Sequence, residues 1–128
     1  MDELKLLKEY QQQIRFEMEK RSLMRLKAHV RVLVQFEYTS KIFETWSQDL
    51  NSEGVCLYGN GQLIYPGQHV KLTIFLPEVT LIGISGRVRW EEKTTKQRLA
   101  GVQFTNASAS TQNKIREFGI DLCGTLFD

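Results

Sequence analysis

HVRVLVQFEY, residues 29–38, alternates apolar and polar side chains along nearly its whole length. Val30, Val32, Val34, Phe36 and Tyr38 fall on one face of an extended chain, with His29, Arg31, Gln35 and Glu37 on the other. A period of two marks a half-buried strand, because successive side chains of an extended backbone point to opposite faces. The alternation returns in HVKLTIFL with Val70, Leu72, Ile74 and Leu76, in TLIGISGRVRW with Ile82, Ile84, Val88 and Trp90, and in LAGVQF with Ala100, Val102 and Phe104. Shorter stretches at KIFETWSQ and GVCLY bring the strands to six. YGNGQ, YPGQ and LPE separate them with the residues that turns use. Six short strands without intervening helices predict an antiparallel barrel or a sandwich. In a chain of 128 residues, closure into a barrel is the better solution because it removes exposed edges.

Working outward, DELKLLKEYQQQIRFEMEK contains no Gly, no Pro and few β-branched residues, so the N-terminus is expected to be helical over residues 1–20. Leu4, Leu7, Ile14 and Met18 recur on one face of that helix, interrupted by Gln11. A stripe of this kind needs a partner, either its own domain or a second copy, which makes homo-oligomerisation through the helix an open expectation. After the last strand, SASTQNKIREFG predicts a short terminal helix with Ser110 as its cap, Ile115 and Phe118 as packing residues and Gly119 as its stop. The expected architecture is mainly β: an N-terminal helix at 1–20, then a six-stranded antiparallel β-barrel domain at 21–128 with a linker before it and a short helix after it.

Composition narrows the function. A net charge of +2 is too small for a general binder of DNA or RNA, which shows a strongly basic face. Basic residues are unevenly placed all the same: Arg15, Lys20, Arg21, Arg25, Lys27 and Arg31 are opposed only by Glu17 and Glu19 in that span. No apolar run is long enough to span a bilayer, and MDELKLLKEY lacks the basic start and apolar centre of a signal peptide. A soluble, cytoplasmic protein is expected. Cys56 and Cys123 have no metal-like spacing and build no disulfide framework, and Cys56 falls in an apolar strand as a small core residue. His29 and His69 have no carboxylate or cysteine at metal spacing, so no metal and no cofactor is expected. Nucleophile elbow, Walker loop and HExxH are all missing, which argues against an enzyme.

Two short motifs carry the chemistry. RSLMR supplies Arg21 and Arg25, whose planar guanidiniums grip phosphate through paired donors and stack on flat rings. DLNSEG supplies Asp49 and Asn51, with acceptors and donors that suit the edge of a guanine, and Gly54, which lets a ligand approach the backbone. Together they describe a pocket for an anion bearing purine bases, and a cyclic dinucleotide is the first candidate.

These residues resemble a known pattern. RSLMR is similar to the RxxxR motif of the PilZ domain, the bacterial receptor module for cyclic di-GMP, and RLKAHVRVLVQF resembles the stretch leading from it into the barrel. DLNSEG resembles that family's (D/N)xSxxG, with Asn51 standing where Ser is usual; GRVRW and LAGVQF resemble its late strands. The resemblance covers roughly residues 15 to 118. It implies that Arg21 and Arg25 contact phosphates and stack on guanine from a linker before the barrel. Asp49 and Asn51 would then bond guanine or ribose from the barrel's outer surface, with Gly54 leaving room and Lys20 helping to hold a stacked ligand dimer. Ligand would dock the linker onto the barrel and reposition the N-terminal helix toward a downstream protein partner. A divergent adaptor that binds protein without nucleotide is the alternative, and Asn51 is the feature that favours it. Of the residues left over, Trp90 could stack on a base but is expected first in the core by its alternation with Ile84 and Val88, while Arg87 and Arg89 face outward as ligand contacts or plain surface charges.

Overall fold

A computed structural model of the chain describes residues 26–94 and 96–124. The expected N-terminal helix, with Lys20, Arg21 and Arg25, lies outside the described residues. In chain order the elements are β1 (Leu26–Lys27), β2 (Arg31–Phe36), β3 (Ile42–Asn51), β4 (Gly54–Tyr58), β5 (His69–Phe75), β6 (Thr80–Lys93), β7 (Arg98–Phe104) and helix α1 (Ala109–Gly124). Strands β2 to β7 close on themselves in the order β3-β2-β5-β6-β7-β4, with β4 pairing back onto β3, and every pairing is antiparallel. The expected six-stranded antiparallel barrel is the observed fold. Closure pairs both edges of every long strand, so the ladder needs no outside partner.

The alternation in HVRVLVQFEY reads out as expected at its centre: Val32 and Val34 are buried, with Arg31 and Gln35 exposed. Its last residues do not extend the strand. β2 stops at Phe36 because Thr39 N donates to Phe36 O at 3.2 Å and turns the chain, leaving Tyr38 84% exposed. Val32 of β2, Val55 of β4, Val70, Leu72 and Ile74 of β5, Val88 of β6 and Ala100 of β7 fill the barrel, joined by Phe43 and Leu50 of β3. β6 departs from simple alternation. Its register on β5 shifts between Leu72 and Ile74, where Ile82 and Gly83 (φ +73°) together face the single residue Thr73, one residue in excess. A bulge reverses the parity of whatever precedes it. Leu81 is therefore inside and Ile82, expected inside, is 79% exposed.

β1 is too short to have been legible. It pairs Leu26 with Leu50 and Lys27 with Asp49, along the edge of β3 that β2 occupies further up, because β4 takes the other edge at the same residues. Between β1 and β2 the side chain of Ser47 replaces the ladder: its Oγ accepts from Val30 N at 2.9 Å and donates to Ala28 O, while Ser47 N donates to Val30 O at 2.9 Å.

After β7 the chain folds across the barrel end that carries the β3–β4 hairpin, and α1 covers it with Ile115 in the core and Phe118 packed against it. The cap is Ser108 rather than Ser110. Ser108 Oγ accepts from Thr111 N at 3.1 Å and its carbonyl from Gln112 N at 2.9 Å, the pattern of an N-cap. Gly119 does not stop the helix, which runs on to Gly124 because Ile120 beyond it is buried against the barrel.

Candidate functional site

DLNSEG forms the hairpin joining β3 to β4, with Asn51 opposite Gly54. The turn is closed by the side chain of Asn51, whose Oδ1 accepts from Glu53 N and from Gly54 N, both at 2.8 Å. Asparagine and serine both hold such turns by accepting backbone N–H groups, so the residue at 51 satisfies the hairpin in the same manner as the expected serine. Gly54 has a reason of its own. A Cβ there would sit 2.5 Å from the carbonyl oxygen of Val102 on β7, so its missing side chain serves strand packing.

Leu50, Val55 and Leu57 point into the core, which puts Asp49, Asn51 and Gly54 on the outer wall. The structure thus brings these three predicted residues together on one face. Beside them opens a cleft of about 320 Å³ lined by Asn51, Glu53, Gly54, Arg89, Trp90, Gly101, Val102 and Gln103. Its floor is low because Gly54 and Gly101 carry no side chains, and its wall is the indole of Trp90. A Cβ on Gly101 would lie 2.1 Å from Trp90 Nε1, so the ring rests directly on that glycine. Trp90 is half-buried and outside the core, not within it. The register of β6 on β7 shifts between Val88 and Trp90, and the extra residue turns both Arg89 and Trp90 outward.

Arg89 is held over the cleft by Gln103: its Nε donates to Gln103 Oε1 at 2.5 Å. The site therefore offers a fixed guanidinium, a flat aromatic wall, and an amide and carboxylate at the hairpin. That combination binds a planar heterocycle by stacking and an anion by charge-assisted bonds. At this volume the cleft is near the lower end of small-molecule sites, enough for one portion of a dinucleotide. Nothing in the sequence singles out Gln103, and the alternation that predicts Trp90 in the core is broken by the register shift between Val88 and Trp90. The one sequence sign was glycine within LAGVQF, which inside a strand marks a close approach by another group.

The start of the described chain lies beside this hairpin. Lys27 pairs with Asp49 and Leu26 with Leu50, so the residues that follow RSLMR are bonded to the strand that carries the second motif. Among the described residues no cluster of His, Cys, Asp or Glu is arranged to hold a metal, and no helix is long and apolar enough to cross a membrane. Cys56 is buried at 1% exposure, as its strand position predicts, and its Sγ donates to Gln48 Oε1 at 3.4 Å.

Comparison with known families and structures agrees with this fold. The model of the PilZ domain matches residues 13–119. Among solved structures, the Bacillus subtilis inhibitor of motility MotI/DgrA is similar with a TM-score of 0.67 at 23% identity, over 77% of this chain and 49% of that one. This chain thus spans about half the length of that protein. The PilZ domain with c-di-GMP of YcgR from Escherichia coli is similar with a TM-score of 0.63 at 10% identity, over 80% of this chain and 92% of that one. The PilZ domain of CeSA from a cellulose-synthesizing bacterium gives 0.56 at 18% identity, over 77% and 97%. Comparison with curated proteins finds no match.

Proposed function

The chain belongs to the PilZ domain family, and on that premise we propose that it is a receptor for cyclic di-GMP. One observation carries the reading: the pairing of Leu26 and Lys27 with Leu50 and Asp49. RSLMR and DLNSEG are more than twenty residues apart in the chain, and this two-residue strand joins the end of one to the flank of the other. Arg21 and Arg25 would reach over the hairpin to the phosphates, while Asp49 and Asn51 bond the guanine edge or ribose and Trp90 offers a stacking face. Lys20 would add charge where two stacked ligands place four phosphates. Like charges on the arginine linker repel until phosphate neutralises them, so binding would order the linker and reposition whatever precedes it.

Calorimetric titration of cyclic di-GMP into the full chain tests the proposal and reports stoichiometry with affinity. Charge-assisted bonds contribute about 1.5 to 3 kcal/mol each, so Arg25→Ala is expected to weaken binding tenfold or more. Unchanged affinity in that variant would remove the arginines from the site. The second reading, an adaptor that engages protein without nucleotide, is favoured by the exposed apolar side chains at the other end of the barrel. Absence of any heat up to high micromolar ligand selects it.

A further inference from the structure

The barrel end away from the β3–β4 hairpin carries a second surface. There the β2–β3 turn and the long connection from β4 to β5 stand side by side around a cleft of about 360 Å³, lined by Phe36, Tyr38, Lys41, Leu63, Tyr65 and His69 among others. Tyr38 is 84% exposed, Leu63 73%, Ile42 56% and Tyr65 52%, which makes this end the richest in bare large apolar side chains among the described residues. Isolated exposed apolar residues are ordinary; a cluster of them around a concavity marks a contact surface.

The cleft walls are fixed in place. Tyr65 N donates to Gln68 Oε1 at 2.9 Å, Gly67 N to Val88 O at 2.8 Å and Val88 N to Gln68 O at 2.9 Å, tying one wall to β6. Arg98 Nη1 donates to Gln62 O at 2.9 Å and Asn60 Nδ2 to Glu44 O at 2.9 Å, holding the rest of the connection. Across the cleft, Glu37 N donates to His69 O at 3.1 Å, and the Tyr38 and His69 rings meet edge to face at 6.4 Å. Rigid aromatic side chains on a bonded frame cost little entropy to bind against.

Charge selects the occupant. The lining carries Lys41 and no carboxylate. Next to it, Lys71 stands opposite Gln35 and Arg87 opposite His69, both exposed; of the carboxylates around this end, Glu37 lies in the turn, Glu44 sits 4.0 Å from Arg31 and Glu91 is bonded to Arg98 at 2.9 Å. A second copy docking this face against itself would set those cations against one another. The group is also too small and too apolar for a nucleic-acid track. We propose that this end of the barrel docks an acidic segment of a partner protein, with a bulky apolar anchor seated between Tyr38, Leu63 and Tyr65 and its carboxylates beside Lys41. The surface shares no lining residue with the cleft at the hairpin, so it stands whether or not that cleft takes cyclic di-GMP.

The test uses the full chain without nucleotide. A displayed library of random twelve-residue peptides is selected on it, and the enriched peptides, fluorescein-labelled, are titrated by fluorescence anisotropy. Peptides pairing Phe, Trp or Leu with neighbouring Asp or Glu are expected, with affinity at least tenfold weaker in Leu63→Asp and in Lys41→Glu and unchanged in Leu122→Asp. Thermal melts of each variant check folding, and Tyr38→Asp repeats the test if Leu63→Asp does not fold. Enrichment of basic or uncharged peptides, or binding indifferent to Leu63 and Lys41, overturns the proposal. So does a dimer in light scattering that Leu63→Asp dissolves, or sedimentation with phosphatidylserine vesicles that it abolishes. Titration of the same variants with cyclic di-GMP keeps the two sites apart: their nucleotide affinity should match the parent chain.

Discussion

Asn51 departs from the usual serine, and the structure shows what the departure preserves. Its Oδ1 takes two backbone donors, from Glu53 and Gly54, that would otherwise be left at the mouth of the cleft. Asn51→Ala should therefore lower unfolding free energy by about 1 to 2 kcal/mol, the net worth of bonds of this kind, as read from urea denaturation. Asn51→Ser should lose less, because the hydroxyl closes the same turn more weakly. If Ala and Ser are equivalent, the side chain is not holding the hairpin. Gly54→Ala tests the neighbouring constraint. Its new Cβ would stand 2.5 Å from a backbone carbonyl, Val102 O, which cannot rotate away, so a loss of about 1 to 3 kcal/mol is expected by the same measurement. The turn itself was legible, since Asn, Ser, Glu and Gly in sequence between two apolar runs have local reasons to bend the chain. The place of Trp90 was not, because it depends on a register shift that no residue type in GRVRW announces.

Between the strands, Ser47 has the most leverage. It is fully buried on β3, and its hydroxyl bonds both Val30 N and Ala28 O where β1 and β2 fail to meet. Ser47→Ala leaves those backbone groups without that partner in a dry site, which costs about 1 to 3 kcal/mol. The loss should be local. Amide exchange is expected to quicken at Lys27 and Val30 well before the barrel strands, and cyclic di-GMP should bind more weakly in calorimetry because the linker has lost its anchor. Uniformly faster exchange throughout the barrel would show that Ser47 supports the fold and not the linker. The sequence made the long elements plain through their period and hid this one. A two-residue strand has no period, and nothing in KIFETWSQ announces that the hydroxyl of its serine substitutes for the ladder. Helix α1 shows the same limit: Ser108 and Ser110 are equal as letters, and only the direction of the incoming chain decides which one caps.

For the molecule as a whole, closure separates stability from recognition. The core lies inside the barrel and is covered at one end by α1, whereas the hairpin cleft lies on the outer wall and the proposed docking surface at the other end. Strand number and alternation were enough to expect closure, because they demand a shared interior and no bare edges. They do not say which outer residues meet, since that depends on bulges and register. The separation has a measurable consequence. Ile115 is buried at 3% exposure where α1 meets the core, and Ile115→Ala removes methyl groups from a site that cannot fully collapse. A loss of about 2 to 5 kcal/mol is expected, read as a fall in the urea midpoint. Below that midpoint, cyclic di-GMP affinity should stay within twofold of the parent, because Ile115 faces the core and does not line the cleft. Ligand at a hundred times its dissociation constant should then restore about 2.7 kcal/mol to parent and variant alike, since it binds only the folded chain. A smaller restoration in the variant would mean that α1 and the hairpin are energetically coupled, and that the helix takes part in recognition.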